Sequence, residues 1–334
     1  MTGRYRIIVQ NRRLHYALEI KRNITIIQGD SATGKTTLID MLRQYMNLQE
    51  SSGIHVDCAK PCRILEGPDW ELILKNLSGY IIFIDEGNSF ITSQRFAEMV
   101  KGSDNYFVLI TRESLYNLPY SVDEIYGLTS SGKYQHAEKT YQEMYQIYSA
   151  RQTVVDLPIE ILLTEDSNSG FQFFRGMAEE TGHTCLSAQG KSNVFAKLKS
   201  MRDIERNICV IADGAAFGAE MMRVHAYLER HSHIILYLPE SFEWLILRSG
   251  FLPTHAVQDI LRAPENYADS TRFFSWERYF TTLLVTETAG TCFQYTKSRL
   301  NPVYLQGKLK MQILHALPKS MQDVRMLRSL KMKQ

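Results

Sequence analysis

The sequence has little that would place it in a membrane or in an oxidising compartment. No apolar run among its 334 residues approaches the ~20 residues that a membrane-spanning helix needs. Its five cysteines are an odd number and scattered, and no signal peptide precedes them, which is typical of reduced thiols. The close pair Cys58 and Cys62 lacks the second pair that a zinc site needs. We therefore expect a cytoplasmic protein without membrane contact.

The sequence also lacks an excess of charge of either sign. It has 38 Lys and Arg residues against 36 Asp and Glu residues, a formal net charge of +2. A nucleic-acid partner is indicated by a much more basic domain or by one basic face, so this balance neither requires nor excludes DNA or RNA. With 44% apolar and 22% charged residues the composition is that of a globular protein, and the length predicts two domains, or two domains with a helical appendage.

Residues 29–36 match the whole phosphate-binding pattern G-x-x-x-x-G-K-[ST]. The apolar run 23–28 predicts a strand before this loop, and apolar residues at helical spacing from Leu38 onward predict a helix after it. The glycines let backbone N–H groups turn toward phosphate oxygens, and the helix N-terminus adds its positive dipole. Lys35 is expected to reach the β- and γ-phosphates of ATP, and the Thr36 hydroxyl to bind Mg²⁺. The predicted nucleotide-binding residues are Gly29, Asp30, Ser31, Ala32, Thr33, Gly34, Lys35, Thr36 and Thr37.

A second pattern, residues 80–86, is an apolar run that ends in two carboxylates. A continuous apolar run predicts a parallel strand buried on both faces. The carboxyl end of such a strand is where parallel sheets place ligand contacts. Asp85 is therefore predicted to hold Mg²⁺, and Glu86 to polarise the water that attacks the γ-phosphate.

Together these patterns resemble the Walker A and Walker B motifs of P-loop NTPases, in particular ABC-like and AAA-like ATPases. Apolar runs at 5–9 and 14–20 around a polar turn predict an N-terminal β-hairpin, which favours these ATPases over small-molecule kinases. In those folds the strand beside Walker B ends in a residue that senses the γ-phosphate, and the resemblance assigns this role to Thr111. The next residue, Arg112, either acts on the same phosphate or faces solvent. The LSGGQ-type signature of ABC proteins is absent from the sequence. The predicted catalytic residues are Lys35, Glu86, Thr111 and Arg112.

The second half of the chain restarts an alternation of strands and helices, and carboxylates follow its strands at Glu165, Asp213 and Glu243. This order resembles a divergent Toprim domain, of the kind that follows ATPase domains in OLD-type phage-defence proteins. The resemblance implies a second Mg²⁺ site at these three acids and cleavage of nucleic acid. Two acids of the family pattern are missing, where the chain has Ser169 and Ala215. An inactive Toprim-like domain and a generic Rossmann-like domain therefore stay open.

The predicted fold class is α/β in three parts. A P-loop NTPase domain with a parallel sheet spans 1–152, a smaller Toprim-like or Rossmann-like domain spans 153–255, and a helical region spans 256–334. Tyr141, Tyr145 and Tyr148 have helical spacing, which favours a packed helix face over stacking on nucleic acid. The basic amphipathic tail from residue 319 is either a solvated helix or a contact for nucleic acid, a membrane surface or a partner.

Three functions follow from these features. The leading one is an ATP-binding and ATP-hydrolysing protein whose P-loop domain regulates a Toprim-like effector that cuts nucleic acid, in phage defence. The second is an ATP-dependent sensor or scaffold without nuclease activity, which assembles as a homo-oligomer or with a partner protein. The third is a small-molecule kinase. Glu86 beside Asp85 argues against the kinase, because a carboxylate that activates water would waste ATP.

Overall fold

The computed structural model describes residues 1–29, 33–130, 139–148, 159–202 and 205–318. Contacts between residues divide the chain into two compact units. Unit 1 is Met1–Ser149 with Ala263–Ser275, and unit 2 is Ala150–Arg262 with Trp276–Gln334. Both units combine helices with a sheet, which confirms a mixed α/β fold, and the sheet of unit 1 is mixed, whereas the sequence predicts a parallel one.

Unit 1 is built on a mixed sheet that has nine strands within the described residues. These are β1 (Tyr5–Gln10), β2 (Leu14–Ile20), β3 (Ile24–Ile27), β4 (His55–Cys58), β5 (Cys62–Ile64), β6 (Ile81–Ile84), β7 (Tyr106–Ile110), β8 (Ile125–Ser130) and β9 (Thr140–Gln146). Their order across the sheet is β4-β1-β2-β9-β8-β3-β7-β6-β5. The strands from β8 to β5 run parallel to one another, whereas β1 pairs antiparallel with both β2 and β4.

The strands that carry the candidate site are buried along their whole length. Every side chain of β3, β6 and β7 is buried, as the continuous apolar runs of β6 and β7 predict. The predicted N-terminal hairpin is confirmed by the pairing of β1 with β2, and β7 lies beside β6. The helical interpretation of Tyr141 and Tyr145 is wrong, because both lie in β9, where pairing with β2 and β8 overrides the local spacing.

The helices of unit 1 are α1 (Lys35–Leu48), α2 (Trp70–Lys75) and α3 (Gln94–Val100). Short 3-10 turns lie at Gln49–Ser52, Ser89–Thr92, Val122–Glu124 and Pro264–Asn266. Helix α1 begins directly after Gly34, whose φ of 88° lies in the left-handed region. Its side chains Leu38, Met41 and Leu42 are buried in the same apolar core as residues of β1 and β7, as the predicted helix requires. This packing fixes the first turn of α1 at the end of the sheet.

The segment 263–275 belongs to unit 1, although it lies within the predicted helical region 256–334. The Gly3 N–H donates to the Glu265 carbonyl at 2.7 Å, and Arg4 Nη2 lies 2.7 Å from Glu265 Oε1. The side chain of Asn23 donates to the Phe274 carbonyl at 3.0 Å. These contacts join residues that are far apart in the sequence, so local patterns do not reveal the grouping.

Unit 2 is built on a parallel sheet with the order β11-β10-β12-β13. The strands are β10 (Ile161–Thr164), β11 (Thr184–Ser187), β12 (Ile208–Ile211) and β13 (Ile234–Tyr237). The helices are α4 (Ser169–Thr181), α5 (Lys191–Ser200), α6 (Gly218–Leu228), α7 (Phe242–Arg248), α8 (His255–Arg262), α9 (Trp276–Thr288) and α10 (Gly307–Ala316), with a 3-10 turn at Pro302–Leu305. The predicted alternation of strands and helices is confirmed. The predicted basic tail lies outside the described residues.

Candidate functional site

The loop before α1 and the ends of β6 and β7 line one cleft of about 380 Å³ in unit 1. The lining residues are Thr33, Gly34, Lys35, Thr36, Thr37, Asp85, Glu86, Ile110 and Arg112. Because β3, β7 and β6 are parallel neighbours, their carboxyl ends meet at the same edge of the sheet. The predicted loop residues Asp30, Ser31 and Ala32 lie outside the described residues.

The loop side of the cleft is positively charged. Lys35 is only 6% exposed, and its Nζ donates to the Gly29 carbonyl at 2.7 Å and to Thr33 Oγ1 at 2.9 Å. Thr36 and Thr37 are exposed in the first turn of α1, which contains no acidic residue. The positive end of the α1 dipole and the charge of Lys35 therefore both attract negative charge, which makes this side of the cleft a site for an anion such as phosphate.

The opposite side of the cleft carries the two acids. Asp85 Oδ1 accepts the Glu86 N–H at 2.9 Å, and the Asp85 carbonyl accepts the Asn88 N–H at 3.1 Å, so the turn after β6 is well defined. Arg112 pairs with Glu86 at two points, Nε to Oε2 at 3.1 Å and Nη2 to Oε1 at 3.3 Å. Arg112 and Glu86 are 54% and 40% exposed. An ion pair this exposed contributes about 0–1 kcal/mol, so Glu86 can exchange this partner at little cost.

Thr111 lies beside this cleft. Its side chain is buried, its hydroxyl accepts the Glu113 N–H at 3.0 Å, and the same hydroxyl donates to the Glu113 carbonyl at 3.4 Å. It lines an adjoining cleft of about 460 Å³, which shares Glu86 and Arg112 with the first. The structure thus brings Lys35 together with Asp85, Glu86 and Arg112, and places the Thr111 hydroxyl in its own turn.

Tyr16 is a residue of the site that the sequence patterns do not reveal. It lies in β2, is 1% exposed, and its hydroxyl donates to the Gly34 carbonyl at 2.9 Å. A Cβ atom on Gly34 would lie 2.9 Å from the same hydroxyl. Tyr16 therefore fixes the peptide at the start of α1 and requires glycine there. No motif connects a tyrosine of an N-terminal hairpin with a phosphate loop, so the sequence gives no signal for this contact.

The three predicted acids of unit 2 lie at one edge of its sheet. Glu165 and Asp213 follow the parallel neighbours β10 and β12, and the Asp213 N–H donates to Glu165 Oε2 at 3.0 Å. Burial raises the pKa of Glu165 to about 7, and burial together with the nearby carboxylates raises the pKa of Asp213. Glu243, in α7, is 1% exposed, and its Oε1 accepts the Tyr295 hydroxyl at 2.8 Å.

A lysine that the sequence patterns did not indicate lies among these acids. Lys297 Nζ is 2.6 Å from Glu277 Oε1, 3.6 Å from Glu243 Oε1 and 3.9 Å from Asp213 Oδ2. Burial lowers the pKa of Lys297, but the carboxylates of Asp213, Glu243 and Glu277 raise it above its usual value. With Lys297 in place among these acids, no three His, Cys, Asp or Glu side chains in the described part of the chain form a group that could hold a metal ion.

Comparisons with known proteins identify no family for this chain. No protein-family model matches the chain, and a search of curated proteins found no match. Within the described residues, no helix has both the length and the apolar character needed to cross a membrane. The functional interpretation therefore depends on the residues of the two sites.

Proposed function

We propose that unit 1 binds ATP together with Mg²⁺ and hydrolyses it. The observation that carries this proposal is the meeting, in one cleft, of the loop residues Lys35 and Thr36 with the acids Asp85 and Glu86. A loop that leads into a helix N-terminus suits phosphate, a carboxylate with a hydroxyl suits Mg²⁺, and a second carboxylate suits an attacking water. These are the groups that we propose for hydrolysis of a nucleoside triphosphate.

Lys35 is already placed over the loop. To bind ATP, its Nζ exchanges the Gly29 carbonyl and the Thr33 hydroxyl for oxygens of the β- and γ-phosphates. This exchange is favourable, because a hydrogen bond between two charged groups is stronger than one to a neutral acceptor. The Thr36 hydroxyl and the Asp85 carboxylate would hold Mg²⁺, which neutralises charge on the phosphates.

Glu86 and Arg112 act together in the hydrolytic step. The Glu86 carboxylate leaves Arg112 and accepts a proton from the water that attacks the γ-phosphate. Arg112, released from the pair, neutralises charge that develops on the transferred phosphoryl group. Both changes are accessible because the exposed pair that must open is weak.

For unit 2 we propose a Toprim-like module that unit 1 regulates. The support is its parallel sheet, with acids at the ends of β10 and β12, together with the resemblance of their order along the chain. A similarity at the level of the fold does not define an activity. DNA or RNA, a second copy of the chain and a partner protein are the proposed binding partners.

Phosphate release from Mg²⁺-ATP by Lys35→Ala and Glu86→Gln tests the function of unit 1. Loss of a general base lowers such rates by roughly 10²–10⁴-fold, so we expect Glu86→Gln to lose hydrolysis and keep ATP binding. Lys35→Ala is expected to lose both. Glu71→Gln is the matched control, because Glu71 is also 40% exposed and pairs with Arg95 Nε at 3.0 Å. Equal phosphate release by wild type and Glu86→Gln would contradict the proposal.

The adjoining cleft of about 460 Å³ favours a second candidate function, transfer of the phosphoryl group to a small molecule. This cleft shares Glu86 and Arg112 with the first, so an acceptor hydroxyl bound there would lie next to the proposed base. Hydrolysis releases one free phosphate for each ADP formed. A small molecule that increases ADP formation without an equal increase in free phosphate would establish the kinase instead.

A further inference from the structure

The acid-lined edge of the unit 2 sheet contains its own positive charge. Lys297 Nζ forms a hydrogen bond of 2.6 Å with Glu277 and ion pairs of 3.6 and 3.9 Å with Glu243 and Asp213. Three carboxylates from two helices and a strand end therefore surround one ammonium group. Divalent cations prefer the same set of oxygen ligands, so Lys297 and a metal ion would compete for this position.

The position of Lys297 is fixed by the backbone and by neighbouring side chains. The Ser169 N–H donates to the Lys297 carbonyl at 2.9 Å. The Ser169 hydroxyl hydrogen-bonds the Tyr295 hydroxyl, which in turn donates to Glu243 Oε1 at 2.8 Å. The segment from Tyr295 to Lys297 is thus held at both α4 and α7, so the side chain of Lys297, which is 32% exposed, starts from a fixed backbone position beside the acids.

The other carboxylates at this edge already accept backbone N–H groups. Asp166 accepts those of Asn168 and Phe171 at 3.2 and 3.0 Å, and Glu165 Oε2 accepts that of Asp213 at 3.0 Å. The cavity beside them has a volume of about 20 Å³, which is room for about one water molecule. A hydrated divalent ion with its several waters needs more space than this.

Glu243 shows why the lysine is needed. Its Oε2 is buried and has no hydrogen-bond partner among the described residues, while its Oε1 faces Tyr295 and Lys297. A buried carboxylate is costly unless a positive charge compensates it. Lys297 provides that charge from within the chain.

We propose that the ammonium group of Lys297 occupies the cation position at the carboxyl edge of the unit 2 sheet, so that unit 2 binds no divalent metal ion and has no metal-dependent nuclease activity. This inference does not depend on ATP hydrolysis by unit 1, and its test uses protein without nucleotide.

The test is a Mn²⁺ titration of the full chain, followed by electron paramagnetic resonance, in the Asp85→Asn background that removes the acid proposed for unit 1. We expect no saturable binding with Lys297, none with the charge-conserving control Lys297→Arg, and one bound ion with Lys297→Met. Because a like charge beside the ion strongly disfavours binding, the affinity of Lys297→Met should be at least about a hundredfold higher. Adding Glu243→Gln to Lys297→Met should abolish the binding.

Two results would overturn the proposal. One is saturable binding of Mn²⁺ by the chain that retains Lys297, provided that Glu243→Gln removes it. The other is a folded Lys297→Met chain that binds no Mn²⁺. If Lys297→Met does not fold, the titration of the chain with Lys297, compared with its Glu243→Gln variant, decides alone.

Discussion

Replacing Tyr16 by phenylalanine tests whether a residue outside the phosphate-binding pattern controls nucleotide binding. The change removes one hydroxyl group from a buried side chain and keeps its ring. In the structure this hydroxyl donates to the Gly34 carbonyl at 2.9 Å, immediately before the first turn of α1. The variant therefore removes one restraint on the loop without altering a residue proposed to contact ATP.

The size of the effect follows from the hydrogen bonds of Gly34. Its carbonyl also accepts the Leu38 N–H at 3.0 Å, so it keeps a partner when the tyrosine hydroxyl is removed. The loss is then that of the hydrogen bonds that the Tyr16 hydroxyl makes with the Gly34 carbonyl and with the Thr37 side chain, about 0.5–1.5 kcal/mol each, without the larger penalty of an unpaired Gly34 carbonyl. If the nucleotide binds the same loop conformation, a loss of about 1 kcal/mol weakens ATP binding roughly fivefold.

The assay is a titration with a fluorescent ATP analogue, together with urea unfolding. Tyr106→Phe is the matched control, because Tyr106 is also 1% exposed and its hydroxyl donates to a backbone carbonyl, that of Gly3, at 3.2 Å. Both variants should lose similar stability, and only Tyr16→Phe should bind the analogue more weakly. Unchanged binding by Tyr16→Phe, or an equal loss in Tyr106→Phe, would refute the role of Tyr16.

Three further predictions concern individual residues. Gly34→Ala forces an L residue into a left-handed backbone conformation, which costs ~1–2 kcal/mol, and places a Cβ atom 2.9 Å from the Tyr16 hydroxyl. We therefore expect Gly34→Ala to bind the ATP analogue more weakly, and the double variant with Tyr16→Phe to recover part of that binding. No recovery in the double variant would contradict the clash. Glu124→Gln removes one charge from a buried ion pair in which Arg22 Nε lies 3.3 Å from Glu124 Oε1. Urea unfolding should show that the free energy of unfolding falls by about 3–5 kcal/mol. A fall of less than about 1 kcal/mol would show that the pair is unimportant for stability. The hydrogen bond with Cys62 lowers the pKa of Cys58 to about 7, although burial acts to raise it. The thiolate is the reactive form of cysteine. The rate at which iodoacetamide alkylates Cys58, measured by mass spectrometry, should therefore rise as the pH increases through about 7. Cys62→Ala should move that midpoint to higher pH, and an unchanged midpoint would exclude this cause.

The parts of the fold that the sequence predicts are those whose local chain determines their structure. The runs at β6 and β7 are apolar without interruption, that at β3 is apolar except for Thr25, and each is a strand with all side chains buried. Gly34 and the apolar residues after it define the start of α1 for the same reason, since a left-handed residue and a helical face are both local properties. The residues that line the cleft follow from these elements.

The parts that the sequence does not predict depend on contacts between distant segments. The spacing of Tyr141 and Tyr145 fits a helix, but β9 is a strand because β2 and β8 supply its hydrogen bonds. The contact of Tyr16 with Gly34 arises only once the hairpin lies beside the loop. Lys297 likewise reaches Glu243 only through the fold of unit 2. Such pairs carry no signal in residue type or spacing.

The two units place carboxylates at equivalent positions, after the strands of a parallel sheet, and differ in the cation that faces them. Glu86 is 40% exposed and pairs with an arginine that is itself exposed, so the pair can open, with water at Glu86 and phosphate at Arg112, at a cost of about 0–1 kcal/mol. Glu243 is 1% exposed, and its lysine is held by contacts to two helices. Lys297 is 32% exposed, so only the carboxylate of this pair is buried, and moving the lysine away would leave that carboxylate without its compensating charge, which is costly. Whether a strand-end carboxylate can act on a ligand is therefore decided by whether its counter-ion can leave, which is why we propose chemistry in unit 1 and a binding role in unit 2.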